Sequence, residues 1–300
     1  MVLMDGRHVS SNILEGIRNE IESLRVHGAQ CSLALIIVGS SKASLQYFSA
    51  IRNACKKIGI VDHPYQLPGD VSINEVLNLI KDLNNDIRIS GILVFLPIPK
   101  HLDPRRVVNA VTPEKDVDGL GAISIGRLAA EESTSQLFLP SPNFSIRTTF
   151  LPCTPYGVIR LFDYYGIEVK GKDVVIVGKS LTVGKSLALM MLAKEATVTV
   201  CHRETKDLPL KTKQADILCV AAGKPNLITT DMVKEGVVIV DIGVNALPDG
   251  RVVGDVDFEG VSKKASYITP VPGGVGPVTI AILLKNTVIS ARRIIGLDML

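Results

Sequence analysis

The sequence predicts an α/β fold with two α/β domains, and three observations carry this prediction. Short apolar runs that are typical of buried strands alternate with amphipathic helical segments. This alternation occurs twice, in the first third of the chain and again after residue 150. The 300 residues, of which 46% are hydrophobic, are enough for two cores.

The first series has a β-α-β-α-β rhythm and therefore predicts a parallel sheet with helices on its faces. Gly59 ends its second helix, and Ser10 or Ser11 is a suitable N-cap for the first. The predicted elements are helix Ser10 to Leu24, strand Leu33 to Val38, helix Ser44 to Ile58, strand Asp62 to Gln66, helix Ile73 to Leu83 and strand Gly91 to Leu96. Chemistry in such sheets gathers at the carboxyl ends of the strands, here 39–44 and 95–100.

The segment Glu131 to Phe150 has no clear period and is rich in Ser, Thr and Pro. It is predicted to be a long surface loop between the domains. Two roles stay open for it, a tolerated insertion and a functional lid.

The second series is built around one stretch, Val174 to Gly184. Four β-branched residues in a row predict a buried parallel strand, and an apolar helical pattern follows from Val183 to Leu192. A glycine turn between such a strand and helix can hold a dinucleotide pyrophosphate on the unpaired N–H groups of the helix. The usual spacing Gly-x-Gly-x-x-Gly is matched only in part, because Gly184 comes one residue late. An ordinary βα turn is the alternative interpretation.

The rest of this series predicts a Rossmann-like domain over 151–279. Thr154 is the expected cap of a helix that ends near Tyr165. The predicted strands are Ala196 to Cys201, Asp216 to Ala222 and Val237 to Ile242. A final helix, from Thr279 to about Ile295, is long enough to return to the first domain. The predicted domains are thus 1–150, completed by 280–300, and 151–279.

Composition excludes several classes of function. The net charge is +3 and no basic run stands out, so nucleic-acid binding has no electrostatic support. No apolar run reaches the roughly 18 residues needed to span a bilayer, so no membrane partner is expected. The five cysteines are odd in number and scattered, which favours a reducing compartment and a cytoplasmic protein.

Cationic residues near the predicted cofactor turn favour NADP over NAD. The second strand of a dinucleotide domain usually ends in Asp or Glu, whereas this one ends in His202-Arg203. Arg203, with Lys179 in the turn, suits a 2′-phosphate. A solvated basic face is the alternative.

Two further motifs offer chemistry. Pro272-Gly-Gly-Val-Gly-Pro277 is a backbone that can approach a flat ligand closely, or else a hinge between domains. Asp116 and Asp118, in Lys115-Asp-Val-Asp-Gly119, are either loop caps or a site. A metal is not expected there because no third ligand is near.

Taken together, these motifs resemble the methylenetetrahydrofolate dehydrogenase/cyclohydrolase family (FolD type) over nearly the whole chain. The match consists of Lys115–Gly119, Pro152-Cys-Thr-Pro155, Gly178-Lys-Ser180 with Val183-Gly184, Ala196–His202, Gly254-Asp-Val256, Pro272–Pro277 and Thr279-Ile-Ala281. The resemblance implies a folate cleft between the domains, NADP on the C-terminal domain, a homodimer and a role in one-carbon metabolism.

The resemblance also implies site residues. Tyr47 corresponds to the family's Tyr that packs on the folate rings, and Asp118 to the Asp that holds the pterin edge. The implied substrate-binding residues are Tyr47, Ile51, Val94, Phe95, Leu96, Asp118, Pro272, Gly273, Gly274, Val275 and Gly276. The implied cofactor-binding residues are Thr154, Gly178, Lys179, Ser180, Val183, Gly184, His202, Arg203, Val244 and Thr279.

The chain departs from the family at two catalytic positions. Ile51 stands where the family has a Lys, and Phe95 stands where it has a Gln. Oxidation of 5,10-methylenetetrahydrofolate to the methenyl form needs orientation but no proton transfer. Hydrolysis of the methenyl form needs proton transfer, which Ile51 and Phe95 cannot provide. We therefore expect an NADP-dependent dehydrogenase with little cyclohydrolase activity.

Two alternatives remain at this stage. The first is a relative without catalytic activity that binds folate and NADP and has a regulatory or assembly role. The second is another Rossmann oxidoreductase, such as a hydroxy-acid or shikimate-type dehydrogenase. That class needs a proton relay in the cleft, and none of the five histidines has an obvious carboxylate partner.

Overall fold

The computed structural model describes residues 1–39, 42–130 and 149–297. Its strands are β1 (Val2–Leu3), β2 (Ser32–Val38), β3 (Val61–Leu67), β4 (Gly91–Val94), β5 (Asp173–Val177), β6 (Thr197–Cys201), β7 (Ile217–Val220), β8 (Val238–Asp241), β9 (Asn245–Ala246), β10 (Val252–Val253) and β11 (Tyr267–Ile268). Its α-helices are α1 (Gly6–Val26), α2 (Lys42–Ile58), α3 (Ile73–Asn85), α4 (Pro104–Val108), α5 (Ala122–Ala130), α6 (Cys153–Tyr165), α7 (Ser186–Ala193), α8 (Leu208–Gln214), α9 (Phe258–Val261) and α10 (Val275–Ile294).

The described residues form two compact units. The small-sheet unit comprises 12–127, 149–153 and 280–297, and the large-sheet unit comprises 1–11, 128–130 and 154–279. The predicted division placed the first eleven residues in the other domain. They lie in the large-sheet unit because β1 pairs in parallel with β11. Most of the predicted loop Glu131 to Phe150 lies outside the described residues.

The small-sheet unit has a three-stranded parallel sheet in the order β3-β2-β4. All seven residues of the central strand β2 are buried, as its unbroken apolar run predicts. Helix α3 packs Val76, Ile80 and Leu83 into the core and begins with a capping box formed by Ser72 and Glu75. The predicted β-α-β-α-β series is therefore confirmed.

The large-sheet unit has a six-stranded parallel sheet in the order β1-β11-β8-β7-β5-β6. Strand β5 lies between β6 and β7, so the chain reverses direction across the sheet at β5. In an open α/β sheet this switch point is where ligands bind, outside the carboxyl ends of the strands. The predicted Rossmann-like architecture is confirmed.

Several helix starts differ from the prediction: α2 begins at Lys42 and not at Ser44, and α7 begins at Ser186 and not at Val183. Helix α1 begins at Gly6 because the Asp5 carboxylate accepts the Arg7 N–H at 2.8 Å, so Ser10 and Ser11 lie inside the helix. Helix α6 begins at Cys153, which places Thr154 in its first turn and not at the cap. Helix α10 begins at Val275, within the glycine-rich motif and four residues before Thr279. None of the helices in the described part of the chain has the length and apolarity needed to cross a membrane.

Candidate functional site

The turn after β5 brings the chain very close to β7. Gly178 has φ of +131°, a conformation that L side chains rarely adopt. A Cβ atom at Gly178 would lie 2.3 Å from the Ala221 carbonyl oxygen. Glycine is therefore required here both for the backbone conformation and for the close contact between the two strand ends.

A π-helical turn over Leu181–Lys185 explains why the last glycine of the motif comes one residue late. The Lys185 N–H donates to the Ser180 carbonyl five residues earlier, at 2.9 Å. A π turn contains one more residue than an α turn, so the glycine that faces the strand is displaced by one position. That glycine is Gly184, whose Cβ would lie 1.9 Å from the Gly178 carbonyl oxygen.

Two serines hold this π turn in place. The Ser180 hydroxyl caps it by accepting the Val183 N–H at 3.2 Å. The buried Ser186 hydroxyl donates to the Leu181 carbonyl at 2.6 Å. Lys179 is exposed beside the turn. The resulting helix start can bind a dinucleotide pyrophosphate through its unpaired N–H groups, with a cation alongside.

The end of β6 presents a cation that already has a partner. The Arg203 guanidinium donates to the Glu204 carboxylate at 2.8 Å, and its side chain is 89% exposed. The Nδ1 atom of His202 accepts the Glu204 N–H. The backbone N–H of His202 donates to the Thr205 hydroxyl at 2.8 Å. A ligand phosphate that binds Arg203 must therefore compete with Glu204.

Two buried carboxylates shape the loops after β7 and β8. Asp255 accepts three successive N–H groups, from residues 222–224, at 2.6 to 2.9 Å, and the Asn245 amide at 2.8 Å. Asp241 accepts the N–H groups of Gly243, Asp255 and Val256 at 2.9 to 3.0 Å. Sequence reasoning noticed the Gly254-Asp-Val256 motif but gave these carboxylates no role.

The predicted cofactor residue Val244 lies in the loop after β8 and exposes most of its side chain. Thr154 and Thr279, also predicted to contact the cofactor, lie side by side with their hydroxyl oxygens 3.4 Å apart. Thr279 also donates to the Val275 carbonyl within α10. All ten predicted cofactor residues belong to the large-sheet unit.

The glycine-rich motif 272–276 forms a tight turn that leads into α10. The Gly274 N–H donates to the Pro270 carbonyl at 2.8 Å. Gly273 has φ of +119°, and Pro272 follows a cis peptide bond. Val275 and Gly276 are already helical. The motif lies entirely in the large-sheet unit.

Three predicted site positions of the small-sheet unit, Tyr47, Ile51 and Phe95, carry aromatic or aliphatic side chains. Tyr47, on α2, exposes 36% of its surface, and its ring makes an edge contact with Phe95 at a centroid distance of 5.9 Å. Phe95 also contacts the ring of Phe48, at 5.4 Å. Ile51 is 0% exposed and Phe95 5% exposed. The pair therefore packs as core, beside the neighbouring predicted residues Val94 and Leu96.

The nearest cation on α2 is already engaged. The Arg52 guanidinium donates to the Asp62 carboxylate at 2.5 Å and lies over the Phe48 ring, 5.6 Å from its centroid. Asp62 lies on β3, so this ion pair ties α2 to the sheet. Arg52 is thus held in a structural role.

In the Lys115–Gly119 motif, two of the charged residues are structural. Lys115 donates to three carbonyls at the end of α3, those of Leu83, Asn84 and Asp86, at 2.7 to 2.9 Å. The Asp116 carboxylate accepts the N–H groups of 120 and 121 and the Ser124 hydroxyl. These bonds fix the loop and the start of α5, as expected of caps.

Asp118 differs from both neighbours because its carboxyl group is half-buried without such a set of donors. Burial, and secondly the charge of Asp116, raise the pKa of Asp118 to about 7, while a hydrogen bond from Cys153 opposes the shift. The pKa of the Tyr47 phenol is also raised, first by desolvation and then by the charge of Asp118. The charge of Asp118 thus acts on the phenol of Tyr47, a second predicted substrate residue.

Cys153 and Asn286 were not predicted as site residues, although both lie next to Asp118 in the fold. Cys153 belongs to a motif noticed in the sequence, and Asn286 lies on α10 between Lys285 and Thr287. Asn286 is buried and a buried amide needs a partner, but its burial becomes visible only in the fold. In the described ranges, no group of three or more His, Cys, Asp or Glu could hold a metal ion.

Comparisons with known proteins match both units. The model described as the tetrahydrofolate dehydrogenase/cyclohydrolase catalytic domain matches residues 4–118, and that of the NAD(P)-binding domain matches 152–295. The "Bifunctional protein FolD" of Nautilia profundicola is 49% identical over 293 residues, which cover 98% of each chain. The crystal structure of bifunctional FolD from Campylobacter jejuni is 47% identical, with a TM-score of 0.89, 98% of this chain covered and 99% of that one. The Trypanosoma brucei FolD, complexed with NADP cofactor and inhibitor, is 34% identical, with a TM-score of 0.89 and 98% of each chain covered.

Proposed function

This chain belongs to the tetrahydrofolate dehydrogenase/cyclohydrolase family of one-carbon folate enzymes, and from that premise we propose that it is a dehydrogenase with little cyclohydrolase activity. The proposed reaction oxidises 5,10-methylenetetrahydrofolate to 5,10-methenyltetrahydrofolate with NADP. The relatives named above are bifunctional proteins, so the proposal separates this chain from them. The observation that carries it is the buried apolar pair Ile51 and Phe95.

The dehydrogenase step requires the protein mainly to orient the folate relative to the nicotinamide. The bound nicotinamide accepts a hydride from the methylene bridge, and the resulting cation is stabilised by the two nitrogens beside it. We assign Asp118 to the pterin edge, where an ionised carboxylate can accept two N–H bonds. We assign the partly exposed Tyr47 ring to packing against the folate. Neither role requires a proton-transferring group at position 51 or 95, so this step can survive the apolar character of Ile51 and Phe95.

The hydrolytic step requires protons to move, because water adds to the methenyl carbon and the ring then opens. General acid–base catalysis typically contributes about 10² to 10⁴ in rate. Ile51 and Phe95 carry no titratable group and pack against other apolar side chains. Arg52 is engaged with Asp62. Hydrolysis should therefore lose most of this contribution while hydride transfer does not.

NADP is the proposed cofactor, and Arg203 and Lys179 support it as exposed cations at β6 and at the π turn. The Glu204 carboxylate opposes the proposal in part, because it pairs with Arg203. We expect a higher kcat/KM with NADP than with NAD, and Arg203→Ala should remove most of the difference. An equal or higher kcat/KM with NAD in the unaltered protein would contradict this assignment.

The proposed assembly is a homodimer. Among the described strands, β6 pairs on one side only, with β5, and it presents the exposed Thr199 and Val200. An open sheet edge with an exposed apolar side chain is a ready surface for a second copy of the chain. Size-exclusion chromatography with light scattering should give twice the 32.2 kDa chain mass, and Val200→Lys should reduce it. A monomer at all concentrations would overturn the assembly.

One absorbance experiment tests the catalytic proposal. Purified protein is mixed with 5,10-methylenetetrahydrofolate and either NADP or NAD, and the formation and decay of methenyltetrahydrofolate are followed. We expect methenyltetrahydrofolate to accumulate with NADP and then to decay no faster than in a blank without protein. Faster decay would refute the loss of cyclohydrolase activity. Folate and NADP binding without any methenyl formation would instead support a non-catalytic relative.

A further inference from the structure

The chain makes a tight turn directly after β6, from His202 to Thr205. The Thr205 N–H donates to the His202 carbonyl at 2.8 Å, and the His202 N–H donates to the Thr205 hydroxyl at 2.8 Å. The Nδ1 atom of His202 also accepts the Glu204 N–H, at 3.3 Å. These bonds fix the backbone of Arg203 and Glu204 at the two central positions of the turn. Both side chains therefore start from a defined place.

This turn lies beside the glycine turn after β5. Strands β5 and β6 pair in parallel, with Val177 opposite Cys201, and the Gly178 N–H donates to the Cys201 carbonyl at 2.8 Å. A dinucleotide whose pyrophosphate lies on such a glycine turn has the 2′ position of its adenosine ribose near the end of the second strand. Arg203 and Glu204 are therefore placed to meet that position.

Arg203 and Glu204 offer opposite chemistry to the ribose. A guanidinium suits the 2′-phosphate of NADP, because it forms charge-assisted hydrogen bonds with phosphate oxygens. A carboxylate suits NAD, because it accepts a hydrogen bond from the 2′-hydroxyl. The turn after β6 carries both groups side by side.

The two groups are bound to each other in the structure, but weakly. The Arg203 Nε atom donates to a Glu204 carboxylate oxygen at 2.8 Å, and the two side chains are 89% and 69% exposed. Ion pairs as exposed as this one contribute little, because water and salt screen them. Among the described residues, the other nitrogens of the Arg203 guanidinium and the second carboxylate oxygen of Glu204 have no further hydrogen-bond partner. Both groups can therefore turn to a ligand with little loss of free energy.

We propose that Glu204 is a specificity-determining residue that lets the cofactor site accept NAD as well as NADP. With NAD, the Glu204 carboxylate accepts the ribose 2′-hydroxyl, for which its second oxygen is available. With NADP, Arg203 releases Glu204 and binds the 2′-phosphate. This inference rests on the proposed function, because it assumes a dinucleotide on the glycine turn. It predicts a smaller preference for NADP than Arg203 alone would give.

The size of the preference follows from these contacts. Two unopposed charge-assisted bonds from Arg203 to the phosphate would favour NADPH over NADH by about a hundredfold or more. Glu204 reduces this factor because it competes for the guanidinium. Its bond to the 2′-hydroxyl reduces the factor again, because it strengthens the binding of NADH. We expect the unaltered protein to bind both, with a preference of about threefold to thirtyfold for NADPH.

The first arm of the test measures the Kd of NADPH and of NADH, by their fluorescence, at one fixed ionic strength. Glu204→Gln keeps the size of the side chain and removes its charge. This variant should bind NADPH about threefold to tenfold more tightly and NADH about threefold to tenfold more weakly. Glu235→Gln is the matched control, since Glu235 is exposed and precedes β8, at the amino ends of the strands. It should change neither Kd, because ligands bind at the carboxyl ends.

Arg203→Ala separates an exchange of partners from simple repulsion. This variant should weaken the binding of NADPH about tenfold or more and leave the Kd of NADH within about twofold. In its background, Glu204→Gln should tighten NADPH by less than about twofold, because no guanidinium is left to compete for. The same gain in both backgrounds would mean that Glu204 only repels the phosphate, and it would overturn the exchange.

The second arm is turnover, and it separates this inference from the proposed function. In Glu204→Gln the ratio of kcat/KM for NADP to that for NAD should rise about tenfold or more, while kcat with NADP stays within about twofold. Unchanged Kd values and an unchanged ratio, in a protein that oxidises 5,10-methylenetetrahydrofolate with NADP, would overturn the inference alone. The expected Kd shifts in a protein that binds both cofactors but does not oxidise the folate would refute the proposed function alone.

Discussion

Replacement of Gly184 by Ala should strongly lower the affinity for the cofactor and leave the small-sheet unit intact. The added Cβ would lie 1.9 Å from the Gly178 carbonyl oxygen, about 1.5 Å short of an ordinary contact. Neither side can yield easily, since Gly178 is itself packed against the Ala221 carbonyl. The π turn must therefore move away from β5 by a large part of that distance.

Such a displacement is larger than a hydrogen bond to a phosphate can tolerate. Charge-assisted bonds of this kind are about 2.7 to 2.9 Å long and contribute about 1.5 to 3 kcal/mol each. Loss of one such bond weakens NADP binding at least about tenfold, and loss of two about a hundredfold or more. Strain in the turn should also lower the free energy of unfolding by about 1 to 3 kcal/mol.

The fluorescence of NADPH on binding is a suitable assay, because the chain contains no Trp to interfere. Gly126→Ala is the matched control, since a Cβ at that helical position meets nothing within 4 Å. We expect a raised Kd in Gly184→Ala and an unchanged Kd in Gly126→Ala. If Gly184→Ala bound NADPH as tightly as the unaltered protein, the close approach of the π turn to β5 would not be needed for cofactor binding.

Three further outcomes are expected. Ile51→Lys alone should destabilise the protein by several kcal/mol, because it places a charge at a fully buried position. The double variant Ile51→Lys with Phe95→Gln should recover part of that loss and speed methenyl decay by at least about tenfold over the blank; no gain in the folded double variant would contradict the role given to this pair. Lys115→Met should cost about 2 to 4 kcal/mol in urea unfolding, because it leaves three carbonyls at the end of α3 without their donor, whereas Lys81→Met, on the exposed face of the same helix, should change little. Burial raises the pKa of Asp241 to about 6 from 3.8, so its protonation adds stability that is complete below pH 4 and is lost as pH rises through 6. The unfolding temperature should therefore increase when the pH is lowered from 7.5 to 5, and Asp241→Asn should flatten this rise.

Most strands could be predicted from the sequence because a buried strand requires a run of apolar residues, which is visible in the sequence. The β2 and β5 runs are apolar and β-branched, and both are buried as expected. Helix starts were less predictable because they depend on single capping bonds. Asp5, not Ser10, supplies the cap of α1. The π turn at Gly184 left only an irregular glycine spacing, which has several possible causes until the backbone is seen.

The candidate site was predictable where one residue type in one motif carries the chemistry. The apolar nature of Ile51 and Phe95 follows from the sequence, and their burial is what such side chains prefer. The contacts beside Asp118 were not predictable, because Cys153 and Asn286 are brought to the neighbouring Val117 carbonyl only by tertiary packing. Spacing along the chain contains no signal for contacts over such separations.

The two buried carboxylates of the large-sheet unit, Asp241 and Asp255, each lie against a glycine in the other's loop. A Cβ at Gly254 would lie 1.8 Å from an Asp241 carboxylate oxygen, and a Cβ at Gly243 would lie 2.2 Å from the Asp255 carboxyl carbon. Each carboxylate thus fills the space beside a glycine of the other loop, so neither loop can be replaced alone. A chimera that takes residues 242–245 from a distant relative should misfold locally unless 254–256 come from the same parent. Evolutionary change in the loops after β8 should therefore proceed by paired substitutions and not by independent drift.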